Sequence, residues 1–101
     1  MYAVVRRYQS DPGSVDEVAR RVNEGFAPII SQSQGFVAYY LLDVGEGAVA
    51  SISVFQDHHT ANESTRLAAE WVKGNLAALV EGPPQITAGE VIAHTGEPSG
   101  Y

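Results

Sequence analysis

The stretch Gly35–Phe55, GFVAYYLLDVGEGAVASISVF, limits the possible folds more than any other part of the chain. Two runs rich in β-branched and aromatic residues, Phe36–Asp43 and Ala48–Phe55, flank the glycine-rich connection VGEG. That pattern predicts a β-hairpin with a bulged or four-to-five-residue loop. Apolar and polar residues alternate only weakly in each run, so both faces of the hairpin are expected to be covered.

The flanking segments supply what could cover it. Tyr2–Tyr8, YAVVRRY, reads as a strand with Tyr2, Val4, Arg6 and Tyr8 on one face and Ala3, Val5 and Arg7 on the other. Ser14 followed by Glu17 has capping-box spacing. Val15, Val18, Ala19, Val22, Phe26, Ile29 and Ile30 then recur at helical spacing. Gly25 and Pro28 predict a bend and a short second helical piece, and Gly35 is placed to terminate it. A second helix is expected from Asp57 to about Val80, with a stripe of Ala61, Ala68, Val72, Leu76 and Leu79 beside Leu67 and Trp71. EGPP stops it, Gln85–His94 reads as the last strand, and 95–101 as a loose polar tail after a single domain, 1–94.

The order β-α-β-β-α-β is the ferredoxin-like plan of the α+β class: a four-stranded antiparallel sheet with two helices on one face. Helices on one face leave the other bare. Its aliphatic and aromatic content would form an unusual exposed patch, so the expected solution is a homodimer meeting through that face.

Charge and cysteine content narrow the functions. Twelve acidic residues oppose six basic ones, a net charge of -6, and Lys73 is the sole lysine. A surface for nucleic acid or anionic membrane needs clustered Lys and Arg, so neither is an expected partner. The chain has no cysteine, which excludes disulfides and thiolate chemistry. MYAVV does not read as a signal peptide, and no apolar run is long enough for a membrane helix. A cytoplasmic location is the expectation.

The helix-to-strand join GFVAYY, the hairpin, and VFQD leading into an alanine-rich helix resemble the antibiotic-biosynthesis-monooxygenase-like domains of the dimeric α/β-barrel superfamily. The resemblance runs from Tyr2 to His94. It implies a dimeric α/β barrel, with small-molecule pockets between each sheet and its helices. Members of that family include cofactor-independent monooxygenases of aromatic quinols and haem-degrading enzymes. The chain departs from the haem-degrading members, which place an asparagine near the end of the first strand, where Gln9 is here the only amide. The histidine common in the second helix of the wider family would fall near Ser64 and is absent.

Asp57, His58, His59 and Glu63 all have side chains able to bind metal or move a proton. Asp57 follows a strand and precedes a helix, which suits an N-cap. Adjacent histidines on a helix point about 100° apart and do not readily share one ion. Helix-start chemistry is therefore the reading, and no metal or cofactor is expected. Trp71 is read as packing or as the wall of a cavity. Arg6 or Arg7 is expected to form a buried pair with Glu90 or to clamp a substrate anion. Tyr8, Tyr39, Tyr40 and His94 could line the pocket mouth. The candidate ligand pocket is thus Arg6, Arg7, Tyr8, Tyr40, Trp71, Glu90 and His94, for a small aromatic or apolar molecule. A cofactor-independent monooxygenase, or an interaction domain with no pocket, are the alternatives.

Overall fold

A computed structural model describes residues 1–96. The tail expected from position 95 lies, for 97–101, outside the described residues. Strands β1 (Tyr2–Ser10), β2 (Phe36–Gly45), β3 (Ala48–Phe55) and β4 (Val80–Glu90) form one sheet in the order β2-β3-β1-β4. All three pairings are antiparallel. Helices α1 (Val15–Arg21), α2 (Ala27–Ile30) and α3 (His58–Asn75) cover one face. The result is the ferredoxin-like arrangement expected from the element order.

Alternation along the central strand β1 decides what enters the core. Val4, Arg6 and Ser10 are buried and Tyr2 and Tyr8 partly so, whereas Arg7 and Gln9 are exposed. Opposite them on β3, Phe55, Ser53, Ser51 and Val49 complete the helix-facing layer. Val18, Val22, Phe26 and Ile30 pack onto it from the first helical region. Ala61, Ala68 and Leu76 do so from the α3 region.

The break in the first helical region takes a specific form. Val22–Phe26 is a single π-helical turn, closed by Ala27 N–H donating to the Val22 carbonyl. Pro28 has no N–H, and in a regular helix its ring would meet the Glu24 carbonyl, a conflict the wider turn relieves. The turn also explains the four-residue spacing of Val18, Val22, Phe26 and Ile30. Three such steps would drift about 120° around a regular helix. Ile29, expected on the same stripe, is instead exposed. The expected capping box does not form. Ser14 makes no side-chain cap bond, and Glu17 accepts from Arg20 and Arg21 at 2.6 and 2.7 Å. Both guanidiniums hold its carboxyl down to about 2, Arg20 contributing most.

Two boundaries also differ from expectation. The hairpin turns on Glu46 and Gly47 alone, both with positive φ, and the bulge sits at Asp43/Gly45. Gln9 Nε2 donates to the Glu46 carbonyl at 2.9 Å, and Ser10 Oγ to the Gly47 carbonyl at 2.8 Å, tying the tip to β1. At the other end, α3 stops at Asn75, and β4 runs over Val80–Glu90 rather than Gln85–His94. Pro83 and Pro84 lie inside a strand because β4 is an edge and its ladder to β1 is bulged there. Among the described residues no helix is long and apolar enough to cross a membrane.

Asp57 caps α3: its Oδ1 accepts the Thr60 N–H at 2.8 Å and the Thr60 hydroxyl at 3.0 Å. The Thr60 backbone bond, ahead of the hydroxyl, lowers its pKa below the ordinary 3.8. The charged cap's contribution is therefore fully present above about pH 3.8 and is lost as the pH falls through the lower folded value. In denaturant unfolding at neutral pH, Asp57→Asn and Asp57→Ser should stay close to wild type and Asp57→Ala should be the least stable. Alanine matching wild type while asparagine and serine fall below it would contradict the cap.

Candidate functional site

A cavity of about 20 Å³ lies between the sheet and the helices. Its sheet side carries Arg6 and Tyr8 from β1, Tyr39 and Leu41 from β2, and Val49 and Ser51 from β3. Its roof is Val18 from α1, Val22 and Phe26 from the π turn, and Ala68, Trp71 and Val72 from α3. Space of that size holds about one water molecule. The lining is mostly apolar, with one cation, two phenols and an indole among it.

The aromatic residues meet at Phe26. Its ring lies edge-on to Tyr39, with centroids 5.6 Å apart, and tilted against Trp71 at 5.3 Å. The π turn brings Gly25 against the indole: a Cβ there would lie 3.0 Å from Trp71 Cζ2. Backbone and ring can approach this closely because residue 25 has no side chain.

Arg6 is the electrostatic centre. It is 2% exposed. Nη1 donates to Ser53 Oγ at 3.3 Å and Nη2 to Thr65 Oγ1 at 2.8 Å. Nε is buried and has no acceptor. Among the described residues no carboxylate forms an ion pair with Arg6. Desolvation pushes its pKa down, yet a guanidinium stays charged in a protein. Burying a charge with only neutral partners costs several kcal/mol. Burial raises the Tyr8 phenol, with Arg6 opposing it, and raises Tyr39 to about 12. Both phenols are therefore protonated at neutral pH and can donate.

Of the expected pocket residues, the fold brings Arg6, Tyr8 and Trp71 to this cavity, together with Tyr39 from the expected pocket mouth. Arg7 is exposed on the opposite face of β1. The expected buried pair between Arg6 or Arg7 and Glu90 does not form. Glu90 stands opposite Tyr2 at the far end of β4, exposed, and accepts from the chain's own N-terminal ammonium at 3.4 Å. Tyr40 and His94 line a different groove of about 310 Å³ with Ala38 and Val54, on the uncovered sheet face. Tyr8 also borders a groove at the β1–β4 bulge, with Arg7, Glu81 and Gln85. His58 stacks on Tyr2, centroids 4.5 Å apart, away from the cavity. Missed in the sequence were Ser53 and Thr65, the acceptors that hold Arg6. Hydroxyls in a strand and a helix carry no signal of such pairing until the strand register is known.

No protein-family model matches the chain, and no curated protein matches it in sequence. Solved structures do match in shape. A protein of unknown function from Nitrosomonas europaea superposes with a TM-score of 0.80 at 22% identity, over 93% of this chain and 91% of that one. A monooxygenase from Streptomyces coelicolor, in complex with nanaomycin D, gives 0.76 at 16% identity, over 93% and 89%. The heme-degrader MhuD from Mycobacterium tuberculosis, with two hemes in its active site, gives 0.75 at 18% identity, over 95% and 100%. These likenesses show a shared fold, the one to which the antibiotic-biosynthesis-monooxygenase-like resemblance pointed.

The Gly25–Trp71 contact can be tested directly, since Trp71 is the only tryptophan. Gly25→Ala should displace the indole and shift its fluorescence emission while the far-ultraviolet circular dichroism stays the same. An unchanged emission spectrum would mean that the ring does not rest on residue 25.

Proposed function

We propose that the chain works as a homodimer that binds a small, aromatic or otherwise apolar molecule between the sheet and its helices. What carries this reading is the convergence of Phe26, Tyr39 and Trp71 with the cationic side chain of Arg6 and the Tyr8 phenol around one cavity. Ligand sites are typically apolar with a few placed polar groups. Two similar structures with the same fold hold organic ligands. At about 20 Å³ the cavity is small, whereas ligand sites usually span roughly 300–1,000 Å³. A ligand therefore enters by displacing side chains, and the half-buried Trp71 beside the π turn is the part of the roof best placed to yield.

The dimer is supported by the uncovered sheet face. Tyr40, Leu42 and Val44 on β2 are 50%, 45% and 46% exposed. Ile52 and Val54 of β3 continue the same apolar surface. A second copy of that face would bury it.

A cofactor-independent monooxygenase is the second reading. In its favour, a desolvated guanidinium with phenol donors is the kind of preorganised site that stabilises a developing oxyanion. It would consume oxygen with a hydroxylated two-ring aromatic and no added metal or flavin.

Two measurements test these readings. Light scattering at micromolar protein should give twice the 10.8 kDa chain mass, and Leu42→Arg should reduce it to one. Calorimetric titration with a panel of one- and two-ring aromatic compounds should show saturable binding of one molecule per protomer, with the ligand between sheet and helices in a crystal of the complex. Failure of every compound to bind at millimolar concentration would overturn the binding reading.

A further inference from the structure

The chain has twelve acidic and six basic residues, yet among the described residues its most buried cation has no acid paired with it. Several acids elsewhere pair with other cations. Glu17 holds Arg20 and Arg21, Glu63 holds Arg66, and Glu90 holds the N-terminus. Arg6 has two hydroxyl acceptors and a buried Nε–H with none. The same cavity is lined by Tyr8, Tyr39 and Trp71 and, among the described residues, by no carboxylate. A buried guanidinium with one unused N–H, in an otherwise apolar cavity, is complementary to an acceptor that brings its own negative charge and a flat hydrocarbon body.

We infer that the ligand of this cavity is an aromatic acid, bound as its planar oxyanion against the Arg6 guanidinium. This rests on the proposed binding site and specifies what that site selects. The anion supplies the counter-charge that the fold omits, and Tyr8 and Tyr39 can add hydroxyl donors to it. The ring system takes the place next to Phe26 and Trp71. Without the ligand, the uncompensated charge weakens the empty protein.

The test compares 2-naphthoate with 2-naphthamide, which has nearly the same shape and no charge, by calorimetric titration at pH 7. Wild type should bind the carboxylate at least 10-fold more tightly. Arg6→Met should bring the ratio of the two affinities to near one. Unliganded Arg6→Met should melt at or above the wild-type temperature, because it exchanges an unpaired buried charge for an apolar side chain of similar length. Should the variant not fold, Arg6 is structural and the inference falls. The wild-type ratio decides independently of any variant. Equal affinities for acid and amide overturn the inference and leave the binding site standing. Binding of neither compound overturns the site itself.

Discussion

The period-two geometry of β1 places a charge where the core should be apolar. β1 is paired on both sides, so its register is held from β3 and from β4 at once. A shift of one residue would exchange every side chain between the two faces. With Val4 committed to the interior, Arg6 must follow it, and Tyr8 and Ser10 after that. The neighbouring strand adapts by offering Ser51 and Ser53 rather than two more aliphatic residues. On α3, Ala61, Ser64, Thr65 and Ala68 are small, which leaves room beneath the helix for a guanidinium and its partners. The modest size of the hydrophobic cluster and the presence of a cavity both follow from accommodating this one side chain.

Much of the architecture could be read from the chain because it depends on local patterns. The hairpin, the faces of β1, the Asp57 cap and the break near Gly25 each need only a few neighbouring residues to specify them. What could not be read depends on partners distant in sequence. Pro83 and Pro84 signalled the end of a helix, but they belong to a strand whose edge position tolerates missing donors. Ser14 and Glu17 matched a capping motif, but Glu17 is more favourably placed between two arginines. Gln9, the one amide in the region that the resemblance made interesting, donates to the carbonyls of Ser10, its own neighbour, and of Glu46 at the hairpin tip.

The candidate site shows the same division. Arg6, Tyr8 and Trp71 reach the cavity because strand alternation and helix periodicity point them inward. Tyr40 could not be separated from Tyr39 without knowing where the β2 bulge falls, between Phe36 and Ala38. Glu90 and His94 were misplaced along the sheet because β4 begins five residues earlier than its prolines suggested. The partner of a buried charge is a three-dimensional fact, and hydroxyl groups in β3 and α3 supply it here.

The π turn gives the length of the first helical region a meaning of its own. It holds one more residue than an ordinary turn would need to reach the same height. Loss of one residue between Val22 and Phe26, with the segment relaxing into a regular helix, would leave Ile30 within about 20° of its present face relative to Val18, because the turn carries one surplus residue. Winding the full number of residues as a regular helix would instead turn Ile30 by about 120°. Homologous chains that keep an aromatic-roofed interior are therefore expected either to keep the wide turn or to be one residue shorter here, and a full-length regular helix would mark chains whose roof is built another way.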